Sequence, residues 1–154
     1  MGSVNWLDLF GQVLQQLPLT LLMIIVSLFF AIILGFILAM IRIKKTKILA
    51  PIVRVYLSFI RSTPLLLQLF LVYFALPQLL LLIHIDINHF SRLFFVILAF
   101  TLHTGAYLSE IIRAGYQSVE YSQIEAGLTI GLSYPRILKD IIIPQALRNS
   151  IPNL

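Results

Sequence analysis

The sequence predicts an all-α integral membrane protein, and three observations carry that prediction. Sixty per cent of the 154 residues are hydrophobic and only 11% are charged, against roughly 25% charge in soluble domains. Mean hydropathy is +0.99, more apolar side chain than a core of this size could hide from water, so lipid must solvate much of it. The apolar residues gather in runs long enough to cross a hydrocarbon layer of roughly 30 Å. Cysteine is absent, which removes disulfides and thiolate metal sites.

The elements follow in chain order. Near the start, Trp6, Leu7, Phe10, Val13, Leu14 and Leu17 recur at helical spacing, while Asp8, Gln12, Gln15 and Gln16 take other positions. Residues 1–16 therefore read as an amphipathic helix in the outer interface, with Trp6 at headgroup depth. The first span covers residues 17–41. Its apolar run exceeds a signal peptide's core, and no Lys or Arg precedes it, so it is read as retained. Arg42, Lys44, Lys45 and Lys47 follow at once. Basic residues stay on the cytoplasmic side, which puts the N-terminus outside. Within this span Ser27, Ala31, Gly35 and Ala39 form a ridge of small residues at four-residue spacing. Such a ridge admits a close neighbour, either within the chain or across a subunit interface.

Residues 51–83 are apolar for about 50 Å of helix, too long for one simple span. Arg61-Ser62-Thr63-Pro64 supplies a break, with hydroxyl capping and proline in the first turn. Upstream, Arg54, Ser58 and Arg61 share a face and indicate an amphipathic helix near the cytoplasmic surface. Residues 64–83 then make the second span, kinked at Pro77. A short external loop from His84 to Phe90 precedes the third span, residues 91–112. Residues 17–112 are thus the membrane region and 113–154 are cytoplasmic. On this topology only Arg92 of the eleven Lys and Arg lies outside. That bias explains the net charge of +5 without a nucleic-acid partner.

Candidate chemistry concentrates in the third span, with Thr101, His103, Thr104, Tyr107, Ser109 and Glu110. His103, Tyr107 and Glu110 share one helical face, and ionisable residues within a bilayer usually face a bundle interior or a watery path. A substrate path including Gln68, His103, Thr104, Tyr107 and Glu110 is one reading. The other is structural: Glu110 pairs with Arg113 or Arg61, or snorkels, and Gln68 makes a buried hydrogen bond. His84, Asp86 and His89 lack ligand spacing and read as ordinary loop residues rather than a metal site. No nucleophilic triad, phosphate loop or zinc motif occurs, so no catalytic residue and no cofactor is assigned.

The tail carries the clearest local logic. Ser122 and Glu125 have the spacing of a capping box. Ala126 and Gly127 are small and leave room for another surface to approach. Gly131 is placed to end the helix in the left-handed conformation. Ser133 and Pro135 can open a second helix, Arg136 and Asp140 form an i, i+4 pair, and Pro144 ends or kinks it. This helix–glycine–helix knob is either a handle for a partner or an ordinary surface pair.

Glu125-Ala126-Gly127, Gly131 and Ile141-Ile142-Ile143-Pro144 resemble the EAA loop of ABC-transporter permeases, with Gly127 in place of the third-position alanine and Ile143 in place of leucine. Three further blocks are similar to the polar-amino-acid branch: Arg61-Ser-Thr-Pro-Leu-Leu-Leu-Gln-Leu-Phe70, Gly105-Ala-Tyr-Leu-Ser-Glu-Ile-Ile-Arg113 and Pro144-Gln-Ala-Leu-Arg148. The resemblance covers about residues 17–154. It implies a bacterial cytoplasmic membrane protein that hydrolyses nothing itself and carries a polar amino acid. Glu125, Ala126, Gly127, Gly131 and Pro144 would couple it to an ATPase subunit. An extracytoplasmic binding protein would deliver substrate, and a second permease subunit, identical or homologous, would complete the path. Such permeases have about five spans against three here, so one or two further helices are expected beyond Leu154, as in a truncated chain or gene fragment. Two other readings stand beside this one. They are a non-transporting membrane adaptor that docks an ATPase, and a secondary transporter or channel fragment whose tail matches by chance.

Overall fold

In the computed structural model, which describes the backbone of residues 6–151 and side chains from Phe10 to Ile151, the helices gather around one central helix. Helix α1 spans Trp6–Ile43, α2 Leu49–Ser62, α3 Leu65–Leu81, α4 Arg92–Gln117 and α5 Tyr121–Thr129. Helix α6 occupies residues 134–150. The described residues contain no strand.

Helix α1 is unbroken for 38 residues, about 57 Å at 1.5 Å per residue. The expected interfacial segment and the first span are therefore one continuous helix, with Pro18 inside it. The headgroup placement expected for Trp6 lies outside the described side chains. On the outer face of α1, Ile24, Ile25, Phe29, Ile32, Phe36 and Ile37 are exposed, as lipid-facing residues would be. The opposite face is the small-residue ridge: Ser27, Ala31, Gly35 and Ala39 are all buried. It packs within the chain, against α4. A Cβ at Gly35 would lie 2.9 Å from Leu108 Cβ and 3.1 Å from the Gly105 carbonyl oxygen. The Thr101 hydroxyl donates to the Ser27 carbonyl at 3.4 Å.

Helix α2 is amphipathic as expected. Val53, Leu57 and Ile60 pack with Leu38 of α1 and Ala106 of α4, and the Tyr56 hydroxyl donates to the Leu102 carbonyl at 2.8 Å. The chain bends by 116° between α2 and α3, at the predicted Thr63–Pro64 break. The capping differs from expectation. Pro64 itself occupies the N-cap position, and the Ser62 and Thr63 hydroxyls turn back to the Phe59 carbonyl at 3.2 and 2.8 Å. Proline leaves the preceding residue extended, so those hydroxyls face the helix they leave rather than the one that begins. Helices α1 and α4 are each long and apolar enough to cross a membrane, and the bent α2–α3 pair makes a third candidate.

Pro77 and Pro144 share a device. Each follows by two residues a stretch of wide helical turns, Leu71–Ala75 and Leu138–Ile142. There the Leu76 N–H reaches the Leu71 carbonyl, and the Ile143 N–H reaches that of Leu138. The extra residue absorbs the missing proline N–H, so the helix runs on past Pro144 to Ser150 instead of ending.

Between α3 and α4, Asp86 accepts from the backbone and side-chain N–H of Asn88, both at 2.8 Å. The backbone donor holds its carboxyl below the usual carboxylate range. Ser91 caps α4, accepting from the Phe94 N–H at 3.4 Å, and α4 runs five residues beyond the predicted end at Ile112.

A leucine at Gly35 would press on backbone that cannot retreat, so Gly35→Leu should cost about 3 kcal/mol. Phe36→Leu, one residue along on the lipid face, should change stability by less than about 0.5 kcal/mol. Thermal unfolding in detergent compares the two, and equal losses would remove the close α1–α4 approach.

Candidate functional site

Two sets of residues emerge, one around α4 within the membrane region and one on the α5–α6 hairpin. In the first, Gln68 is buried at 3% exposure. Its amide nitrogen donates to the Ile60 carbonyl at 2.7 Å, the Thr63 carbonyl at 2.9 Å and the Thr63 hydroxyl at 3.0 Å. Carbonyls only accept, so the orientation of the amide is determined, and Gln68 Oε1 faces His103 Nδ1 at 2.9 Å. Nδ1 must then carry the proton. In neutral His103 the other nitrogen, Nε2, is left as the acceptor. The His103 ring lies 4.9 Å from that of Tyr107. One glutamine thus clasps the α2–α3 break and sets the tautomer of a histidine on α4.

Glu110 does not join this group. Its carboxylate is shared by Arg42 of α1, Arg113 of α4 and Arg61 of α2, the last at 3.5 Å. Of the sequence's alternatives for Glu110, the structure has the pairing with arginines, which ties three helices together. Thr104 is half-buried on α4, with no side-chain hydrogen bond among the described residues. Arg42 entered the sequence reading only through its charge. Its position as the first cation after the span was the signal that could have marked it.

In the hairpin, α5 starts two residues earlier than a Ser122 cap requires. Glu120 is the N-cap residue, and the Ser122 hydroxyl donates to the Glu120 carboxylate at 3.3 Å, so the expected capping box does not form. Gly131 does adopt the left-handed conformation, with φ +81°. The Leu132 N–H reaches the Gly127 carbonyl and the Gly131 N–H that of Leu128, both at 3.0 Å, closing the helix end. Ser133 sits at the N-cap position of α6, and Arg136 pairs with Asp140 at 3.3 Å.

The residues expected to couple to an ATPase divide by exposure. Glu125, Ala126, Gly131 and Pro144 are exposed, whereas Gly127 is buried. A Cβ there would meet Ile137 Cγ1 at 2.9 Å, so Gly127 brings α5 onto α6 rather than making room for an outside surface. Val119, Ile124, Ile137 and Ile142 form the hairpin's core. Helix α6 is in turn fastened to α4. The Asn149 amide donates to the Ser118 hydroxyl at 2.8 Å, and a Cβ at Gly115 would lie 2.7 Å from the Ala146 carbonyl oxygen.

A helical membrane body bearing a rigid polar hairpin is the class these features define. Residues 31–154 match the family described as "Binding-protein-dependent transport system inner membrane component", and the chain belongs to that family. It is 40% identical over 99% of its length to the probable amino-acid permease protein YxeN of Bacillus subtilis (strain 168), covering 67% of that protein. It is 40% identical over 96% of its length to the L-cystine transport system permease protein TcyL of the same organism, covering 62%. With the arginine transport system permease protein ArtQ, also from that organism, it shares 39% identity over 91% of its length and covers 61%. The chain therefore spans about three-fifths to two-thirds of the length of these relatives. Its fold is similar to the crystal structure of an amino acid ABC transporter with histidines, with a TM-score of 0.75 at 27% identity. That match covers 99% of this chain and 69% of the other.

Gln68→Leu would strip two carbonyls and the His103 N–H of their partner, at a cost of about 2 kcal/mol. It should also let His103 populate both tautomers, read from its nitrogen chemical shifts in the purified protein. A single unchanged tautomer in Gln68→Leu would refute the clasp.

Proposed function

We propose that this chain belongs to the permease subunit of an ATP-driven importer for a polar amino acid, embedded in the bacterial cytoplasmic membrane with its N-terminus outside. The observation that carries the reading is the hairpin. It presents Glu125, Ala126 and Gly131 outward while its core and its seams with α4 are closed. Such a body transmits displacement instead of absorbing it, because close-packed interiors are stiff. The family match and the names of the amino-acid permeases support the same assignment.

In this reading the exposed face of α5 sits in a groove of the ATPase subunit, and ATP-driven closure of two ATPases moves it. Helix α6 passes the motion to α4 through Gly115 and Ala146. Helix α4 carries His103 and Tyr107, whose ring faces and the free His103 Nε2 acceptor suit the ammonium and polar groups of an amino acid. Thr104 lies beside them, while Gln68 positions His103 and Glu110 holds the inner end of α4. A binding protein would deliver the substrate outside, and a second permease subunit would complete the path. The chemistry of ATP hydrolysis stays in the partner.

Glu125 is exposed, so Glu125→Lys should change stability by less than about 0.5 kcal/mol yet abolish co-purification with the ATPase. Undiminished co-purification would refute the docking face. His103→Ala should leave co-purification intact and reduce uptake in vesicles supplied with ATP and binding protein. Docking without any uptake by the unsubstituted assembly would favour the adaptor reading.

A further inference from the structure

Beside the Glu110 cluster lies a cleft that neither coupling nor a substrate path uses. It measures about 410 Å³ and is walled by Arg42, Lys45 and Lys47 from the end of α1 and the following turn, Arg54 from α2, and Arg113 and Gln117 from α4. A second hollow of about 330 Å³ continues it past Arg54 to Arg61. Glu110 is the one carboxylate that reaches these cations among the described residues, and it is already divided among Arg42, Arg61 and Arg113. The wall is left with a large excess of positive charge, which repels itself unless an anion enters.

Two further observations point to a ligand. Lys45 holds a left-handed backbone, φ +49°, where glycine would be cheaper by roughly 1 kcal/mol. That turn, closed by the Thr46 N–H on the Ile41 carbonyl at 3.4 Å, brings Lys45 and Lys47 back over the cleft. Finally, Arg54 shares α2 with an apolar stripe. Ile48, Ile52, Val55 and Phe59 recur at helical spacing and are 46–75% exposed.

Guanidinium groups match phosphate oxygens in charge and fork geometry. The apolar stripe occupies the neighbouring face of α2, round from the cleft-lining Pro51 and Arg54, and suits acyl chains, which a free phosphate lacks. We propose that this cleft binds the phosphate headgroup of an anionic phospholipid, with the acyl chains lying along Ile48, Ile52, Val55 and Phe59. The bound lipid would neutralise the excess charge and pin the α1–α2 turn at the membrane surface.

The test uses the purified full chain in phosphatidylethanolamine vesicles with or without phosphatidylglycerol, with lipid retention read by native mass spectrometry. The unsubstituted chain should retain phosphatidylglycerol. Lys47→Gln/Arg54→Gln, which leaves the Glu110 cluster untouched, should bind it about thirtyfold more weakly at about a fivefold loss per basic residue. Arg136→Gln/Arg148→Gln removes the same charge elsewhere and should bind as the unsubstituted chain does. Equal weakening in both doubles would reduce the effect to net charge and overturn the site. Displacement of the lipid by inorganic phosphate would assign the cleft to a soluble anion and overturn the lipid as occupant. On the unsubstituted chain, a photoactivatable phosphatidylglycerol should crosslink within residues 42–59, and crosslinks confined to other segments would overturn the proposal.

Discussion

Everything else in this molecule is arranged around the close approach of α1 to α4. In a bilayer the hydrophobic effect gives two helices no reason to meet, so association rests on backbone proximity and the dispersion contacts it allows. The ridge Ser27–Ala31–Gly35–Ala39 provides that proximity. With α1 fixed, α4 has a defined rotation, and the faces left over receive α2, α3 and α6. Glu110 then secures the inner end of this contact, because one carboxylate answers guanidinium groups from three helices.

In the proposed function α4 serves as both scaffold and transmission. Its upper half carries His103 and Tyr107, and its lower end receives α6 across Gly115. The polar hairpin is well built for its size: a buried aliphatic core, a left-handed glycine closing α5, and hydrogen bonds from α6 to α4. In the proposed function, a force at Glu125 would reach His103 through this close-packed hairpin and helix without local unfolding between them.

The two wide-turn stretches ahead of Pro77 and Pro144 are a related economy. A proline in a helix leaves a carbonyl unmatched and a ring against the preceding turn. Inserting one residue before it restores the register, so both helices continue where sequence alone suggests a kink or an end.

By itself the sequence determined the helical membrane class, the three apolar runs, the break at Pro64, the small-residue ridge as a close-packing surface, and the left-handed glycine at Gly131. Each follows from composition or from a local backbone preference that has one low-energy outcome. Tertiary structure decided the partners that come from other helices. Glu110 meets three arginines from three helices, Gln68 reaches back eight residues across the break to the Ile60 carbonyl, and Gly127 turns inward onto Ile137. Ser122 and Thr63 had the right spacing to cap helices, yet Glu120 and Pro64 hold the N-cap positions. Spacing fixes which face a residue occupies. The partner on that face comes from another helix, and no local rule records where that helix crosses.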